Sequence, residues 1–381
     1  MKKVNPIVKW WVTPKLPYHD IFELPLLINE SVTAKYWHIF SQWVIHPIKR
    51  RVARWYLKFL QNNTEIVVIG ITGSAGKTTT KEMLFSILKK QDKTVCTRTY
   101  IDPVYNIPNT ILSTPIGTKY LILEMGVEYP GEMDFYLWLA RPDVGVITNI
   151  FPTHTEFLGD IGGVFEEKVK LVSSLSKEGR AVLNSGDKML KSLSDKLAAE
   201  IIWFSPDVNP IIQNANAAEA LAKSFGISDG RIKQGLATYK KPIHRLTVIN
   251  HKSGAMILDD SYNSNPWAAL STLEYFNKIA KGKKIAVLGD MLELGDYDED
   301  AHRELGRSVA NAGFEIVVGV GKSSRFLIDE VNLHSKSTKT YLLDSVDGAV
   351  SIIKGELGKN VSILVKGSRS IHLDKLIDSL R

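Results

Sequence analysis

The segment 65–88, EIVVIGITGSAGKTTTKEMLFSIL, constrains this chain more than any other stretch of its 381 residues. Residues 66–71 are an apolar, β-branched run of strand length. Gly73, Ser74, Ala75 and Gly76 follow as a tight turn, and Lys77 and Thr78 open a helix expected to reach Leu88. Strand, glycine turn, Lys-Thr and helix together make a phosphate cradle. Glycines let backbone N–H groups approach phosphate oxygens, and the helix N-terminus favours an anion. The lysine reaches the outer phosphates, and the threonine hydroxyl can ligate Mg²⁺. Residues 73–79, from Gly73 through Thr78 and Thr79, are therefore the expected phosphate ligands. The spacing is shorter than the general pattern, because Ile71 stands where its first glycine belongs. An ordinary glycine turn is the alternative, and it leaves Lys-Thr at the helix start unexplained.

Strand and helix patterns alternate on either side of this loop. Tyr120–Glu124 and residues 144–148 and 181–184 read as short buried strands, with helical periodicity over 131–140 and 163–175. The alternation restarts after a hinge near 240–242. Strands are expected at 255–258, 284–288, 315–319, 339–342 and 361–365, and helices at 266–280 and 299–312. The fold class is thus α/β, with mostly parallel sheets and helices on both faces. Three parts are expected: a segment 1–64, a nucleotide-binding domain 65–240 and a C-terminal domain 241–381. In such sheets ligands sit at the carboxyl ends of strands, where the glycine loop and Glu124 both fall.

Segment 1–64 differs from the rest in composition. It holds 10 Lys/Arg against 3 Asp/Glu, which accounts for the whole net charge of +7, and five of the eight tryptophans. Prolines at 6, 14, 17, 25 and 47 are expected to break it into short pieces. Its most regular part, residues 48–60, places Ile48, Val52, Trp55, Tyr56, Phe59 and Leu60 on one helical face, with Lys49, Arg50, Arg51, Arg54 and Lys58 on the other side. Two readings stay open: a helix lying on anionic lipid, or a helix packed on its own core with a solvated basic face. No nucleic-acid-binding module is recognisable. The lone Cys96 excludes a disulfide framework and a Cys-based zinc site and fits a reducing compartment. No run of about 18 apolar residues exists, so no membrane-spanning helix is expected. Nor is there a leader-like apolar stretch with a small-residue cleavage site.

Glu124 ends a strand facing the loop and is placed to hold Mg²⁺; a capping or salt-bridging glutamate is the alternative. The loop TGSAGKTTT and the stretch LILEMGVEYPGEMDFYLWLARPDVGVITNI resemble the Mur ligases, the ATP-dependent amide-forming enzymes of peptidoglycan-precursor synthesis. The branch most like it joins D-alanyl-D-alanine to a UDP-muramoyl tripeptide. HRLTVI, DDSYNSNP, VLGDMLELG and LVKGSR, in that family's order, extend the resemblance over residues 65–381.

The resemblance implies a P-loop central domain followed by a Rossmann-like α/β domain. It also implies ATP and Mg²⁺ as cofactors, with Thr78, Glu124 and His154 as metal ligands. Lys168 is implied to be carbamylated by CO₂ and to stand near the metal, and Lys77, His154 and Lys168 to be catalytic. Arg245, Asn263 and Asp290 are implied at the nucleotide, and Lys366 and Ser368 at the incoming amine. DPVYNIPNTIL, residues 102–112, departs from the family's paired-asparagine motif, so no role is carried onto it. Residues 1–64 do not resemble the uridine-nucleotide-binding domain with which family members begin.

The expected chemistry is phosphorylation of a carboxylate by ATP, then attack of an amine on the acyl phosphate, with domain closure excluding water. The expected partners are a nucleotide-sugar peptide and a dipeptide acting as small-molecule substrates, with no nucleic acid, in a monomer. The expected location is cytoplasmic, with segment 1–64 a candidate for peripheral association at the inner face of the membrane. The alternatives are a related ligase acting on a folate, a poly-amino-acid or a lipid-linked carboxylate, or a non-catalytic nucleotide-binding protein at the membrane.

Overall fold

The computed structural model describes residue 11 and residues 32–380. Trp10 and the prolines at 6, 14, 17 and 25 lie outside them. The chain divides into two compact units, one of residues 1–150, 162–206 and 213–240, the other of residues 151–161, 207–212 and 241–381.

The first unit is built on six parallel strands. In chain order they are β1 (Val67–Thr72), β2 (Thr94–Cys96), β3 (Tyr120–Glu124), β4 (Val144–Ile147), β5 (Arg180–Asn184) and β6 (Glu200–Phe204), and in space β2-β3-β1-β4-β5-β6. The central strands are buried on both faces, which is why they read as continuous apolar runs rather than alternating ones. β1 pairs with β3 and β4, so the loop after β1 emerges between the carboxyl ends of its two neighbours.

The second unit has strands β7 (Thr247–Asn250), β8 (Met256–Asp260), β9 (Lys283–Gly289), β10 (Ile316–Val320), β11 (Lys339–Leu343) and β12 (Val361–Lys366), in the order β11-β10-β9-β12-β8-β7. Only the β7–β8 pair is antiparallel. Successive residues of β9 serve opposite faces. Ile285 and Val287 join a cluster with Ile257, Ile363 and Leu373, whereas Ala286 and Leu288 join Leu258, Phe276 and Leu327.

The N-terminal helices correct two expectations. Pro47 does not break the chain: helix Val32–Phe40, a π turn Ser41–Ile45 and helix His46–Asn63 run on without leaving helical dihedrals. Proline at 47 removes one N–H and crowds the Trp43 carbonyl, and the wider π turn accommodates both. The His46 N–H reaches back to Ser41 O, and Trp43 O accepts from the Trp11 indole at 2.7 Å.

The buried face of helix His46–Asn63 is also not the one its hydrophobicity suggests. Ala53, Leu57 and Leu60 are buried and so is Arg50, while Ile48, Val52, Trp55 and Phe59 are exposed. Of the expected core face only Leu60 is fully inside. Arg50 is tolerated there because its guanidinium lies 5.3 Å from the Phe135 ring centre, and small Ala53 lets the helix approach its neighbours. Burial lowers the Arg50 pKa to about 10, which still leaves it charged at neutral pH. Hydrogen bonds fix the packing: Gln42 Nε2 to Tyr105 Oη at 2.9 Å and Tyr56 Oη to Thr114 O at 2.7 Å.

Candidate active site

In the first unit the glycine turn does what its spacing suggests, in an unexpected way. Gly73 has φ +144°, and a Cβ there would lie 1.9 Å from Thr148 Oγ1. Gly76 has φ +83°, and a Cβ would lie 2.2 Å from Asn214 Oδ1. Both positions need glycine, for conformation and for space. The Ser74 N–H donates to Asn149 O at 3.1 Å and the Ala75 N–H to Asn149 Oδ1 at 2.8 Å. Asn149 Nδ2 and Thr148 Oγ1 both donate to Ala75 O. These two loop amides are therefore engaged by the end of β4 rather than held open. Helix Lys77–Leu88 begins with no side-chain cap, and its first helical bond runs from Thr80 N to Gly76 O. The amides at its tip, from Gly76 to Thr79, are the donors oriented for an anion. Lys77 Nζ folds back onto Gly73 O at 2.8 Å.

Thr78 and Glu124 come together as expected. Thr78 Oγ1 donates to Glu124 Oε1 at 2.7 Å, from the helix start to the end of β3. The other carboxylate oxygen lies 3.3 Å from Lys81 Nζ. Lys81 is fully buried, donates to Thr97 O at 2.8 Å and lies 3.1 Å from Glu82. Burial opposes its charge, but Glu124 and Glu82 outweigh that and hold its pKa above the ordinary range. Sequence reasoning missed Lys81. The available signal was its place four residues after Lys77, on the same helical face.

Lys168, on helix Ile161–Ser173, is 1% exposed. Burial and then the nearby charge of Lys77 lower it from an ordinary 10.5 to about 7, against the pull of Glu167, Glu132 and Glu128. Two of those acids, Glu132 and Glu167, are otherwise occupied. Glu132 accepts from the amides of Glu128 and Tyr129, and Glu167 from Met133 N and Lys170 Nζ. An amine in this state is about half neutral near pH 7, and its neutral fraction is nucleophilic. Lys170, its neighbour in the sequence, instead pairs with Asp134 and Glu167.

In the second unit four sequence motifs converge at the carboxyl ends of β8, β9 and β12. Lys366 Nζ donates to Asp260 Oδ2 at 2.6 Å and Asn263 O at 3.0 Å, and it is buried. Ser368 Oγ accepts from Leu292 N at 2.9 Å, and Ser368 N donates to Asp290 O. Asp290 is buried, and its carboxylate accepts from Ser323 N, Ser324 N and Ser324 Oγ at the start of helix Ser324–His334. Asn263 Oδ1 accepts from Ser264 N. Arg245 stacks 4.1 Å from the Tyr262 ring centre. Lys366, Ser368 and Asp290 are thus each tied to the frame that joins the motifs. His302 is fully buried, with Nε2 accepting from Met291 N and Nδ1 donating to Asp298 O.

His154 falls in the second unit, and its Nδ1 lies 2.5 Å from Glu293 Oε2. Both residues have left-handed backbones, φ 55° and 65°. Thr155 Oγ1 donates to Leu294 O, and Phe151 stacks on Trp267 with ring centres 4.4 Å apart, so 151–161 is laid along 291–297. The His154 hydrogen bond lowers the Glu293 pKa against burial. A carboxylate on Nδ1 fixes the imidazole in the tautomer that presents Nε2 as an acceptor. Among the described residues no three His, Cys, Asp or Glu side chains cluster to hold a metal ion. The oxygen pair Thr78–Glu124 suits a hard cation such as Mg²⁺.

Residues 71–235 match the Mur ligase middle domain and residues 244–369 the Mur ligase, glutamate ligase domain. The UDP-N-acetylmuramoyl-tripeptide--D-alanyl-D-alanine ligase of Bacillus subtilis is 30% identical, over 87% of this chain and 78% of that protein. Its counterpart in Escherichia coli is 28% identical over 82% and 76%. Among solved structures, MurF from Acinetobacter baumannii superposes with a TM-score of 0.77 at 25% identity, covering 88% of this chain and 80% of that one. E. coli FolC, in complex with DHPP and ADP, shares the fold at a TM-score of 0.63 and 17% identity. On two domain matches in sequence order, a relative at 30% identity and the geometry of both units, this chain belongs to the Mur ligase family.

Proposed function

We propose that this chain is an ATP-dependent ligase of peptidoglycan-precursor synthesis that joins D-alanyl-D-alanine to a UDP-N-acetylmuramoyl tripeptide. The observation that carries the chemistry is the Thr78–Glu124 pair, 2.7 Å apart, beside an uncapped helix start that bears Lys77. The chain's similarity to UDP-N-acetylmuramoyl-tripeptide--D-alanyl-D-alanine ligases supports the choice of acceptor and amine.

In the first step a carboxylate oxygen of the acceptor attacks the γ-phosphorus of ATP, giving an acyl phosphate and ADP. Lys77 leaves Gly73 O for the phosphates, and the amides at the helix tip bind their charge. Thr78 and Glu124 would hold Mg²⁺, which supplies charge neutralisation on the phosphates when bound. Lys81 holds the Glu124 carboxylate in place. In the second step the dipeptide amine attacks the acyl carbon, the tetrahedral intermediate collapses, and the carbonyl–oxygen bond to phosphate breaks. The amine loses a proton and inorganic phosphate leaves.

Lys168 is assigned as a carbamate. Its neutral amine adds to CO₂ and releases one proton, which turns a buried neutral amine into an anion. His154, oriented by Glu293, and the Lys168 carbamate are the remaining assigned metal ligands. Arg245 and Asn263 are assigned to the nucleotide. Asp290 would have to release the Ser323 and Ser324 amides to take a ribose, so we give it that role only together with movement of its loop. Lys366 and Ser368 hold the motifs in register and shape the amine site through them.

The test is phosphate release from Mg-ATP with tripeptide nucleotide and dipeptide added singly and together. Release that needs both, with the coupled product seen by mass, is expected. Folded protein that binds ATP but releases nothing with either or both overturns the assignment of substrates.

A further inference from the structure

We propose that the outward face of helix His46–Asn63, continued on helix Val32–Phe40, docks on an anionic lipid bilayer. Ile48, Val52, Trp55 and Phe59 recur at intervals of four, three and four residues, so they form one straight stripe. They are 47%, 46%, 67% and 39% exposed, on the side opposite buried Ala53, Leu57 and Leu60. The preceding helix adds Tyr36, Trp37 and Phe40, 67%, 64% and 48% exposed. Large apolar side chains exposed singly need no explanation, but seven on one helical run of about 35 Å make a contiguous apolar surface.

The charge on the same helices selects the occupant. Residues 32–63 contain six basic side chains and no Asp or Glu, and Lys49 and Lys58 stand on opposite shoulders of the stripe. The rest of the chain from residue 65 is electrically balanced, so the excess positive charge is concentrated at this end. A second copy would bring positive charge against positive charge. An anionic headgroup layer complements it, and tryptophan, tyrosine and lysine are the residues that suit the boundary between headgroups and acyl chains. Among the described residues no helix is long and apolar enough to cross a membrane, so the helix lies on the surface rather than spanning it.

The experiment is co-sedimentation of the full chain with vesicles. One set is phosphatidylcholine alone and the other carries about 30% phosphatidylglycerol, each at about 50 to 500 mM NaCl. Trp55→Ser/Phe59→Ser and Lys49→Glu/Lys58→Glu are compared with the parent, and circular dichroism and melting check that the exposed changes leave the fold intact. Binding to the anionic set is expected, falling with salt and weaker by about tenfold or more in each double variant. Absence of binding, equal binding to neutral vesicles, or undiminished binding in both variants overturns the proposal. Self-association in vesicle-free solution that Trp55→Ser/Phe59→Ser abolishes would assign the stripe to a second copy and overturn it equally.

Discussion

Replacing Lys168 with methionine should make the protein more stable while destroying its activity. The side chain is 1% exposed, and burial and then Lys77 bring its pKa from 10.5 to about 7. At 1.36 kcal/mol per pH unit, that difference corresponds to about 5 kcal/mol of destabilisation at pH 7 and below. Lys168→Met keeps the length of the side chain and removes the titrating group. That figure is already net of the attraction to Glu167, Glu132 and Glu128, and imperfect packing of the thioether takes part of it back, so an increase of about 2–5 kcal/mol at pH 7 is expected. The sign follows from proton counting. Between pH 7 and 10.5 the unfolded parent binds a proton that the folded parent does not, so its stability rises with pH across that window. The variant lacks this dependence, and its advantage should shrink by about 1.4 kcal/mol per pH unit and vanish near pH 10.5. Urea denaturation of both proteins at pH 7 and 9.5, in CO₂-free buffer at fixed ionic strength, measures it. A variant less stable at pH 7, or a gap that does not narrow at pH 9.5, would refute the reasoning. Adding ¹³C-bicarbonate should then give a carbamate carbon resonance in the parent and none in the variant.

Lys77→Ala should lower ATP-dependent phosphate release by about a hundredfold or more, because the amine that rests on Gly73 O is the one that reaches the phosphates; a melting curve beside the release assay checks that the fold survives. Lys81→Met should cost about 3 kcal/mol of stability and weaken Mg-ATP binding, since Glu124 then keeps its partly buried position without its cation; thermal melting with and without Mg-ATP reads both. Gly73→Ala should abolish nucleotide binding through the 1.9 Å approach to Thr148 Oγ1, and adding Thr148→Ala should restore only part of it, because the φ of +144° remains unfavourable. Burial pushes the Cys96 thiol up to about 12, so a thiol reagent at pH 8 should label it far more slowly in the folded protein than in urea.

The central strands were readable because parallel strands buried on both faces leave long apolar runs. β2 has three residues at a sheet edge, and β7 is a four-residue edge strand with Val248 exposed, so neither carries that signal. The glycine turn and the Lys-Thr helix start were legible because conformation and chemistry coincide there. That Asn149 takes the Ser74 and Ala75 amides was not, since it depends on how β4 ends beside β1. The His154–Glu293 pair joins residues 139 apart and carries no local mark. Helix 46–63 misled for a physical reason: hydrophobicity ranks tryptophan above arginine, yet Arg50 found an aromatic face while Trp55 did not enter the core.

The segment 151–161 belongs with the second unit although it lies within the first half of the chain. No single cut therefore separates the two units. A fragment ending at Lys240 would keep Phe151 without Trp267, His154 without Glu293 and Thr155 without Leu294 O, and would present that strip of apolar and polar groups to water. The complementary fragment would lose the cover of its 291–297 loop. Genetic dissection at the hinge should yield two poorly soluble pieces, whereas co-expression of both can restore the missing surfaces, so the heritable unit of this ligase is the intact chain rather than either half.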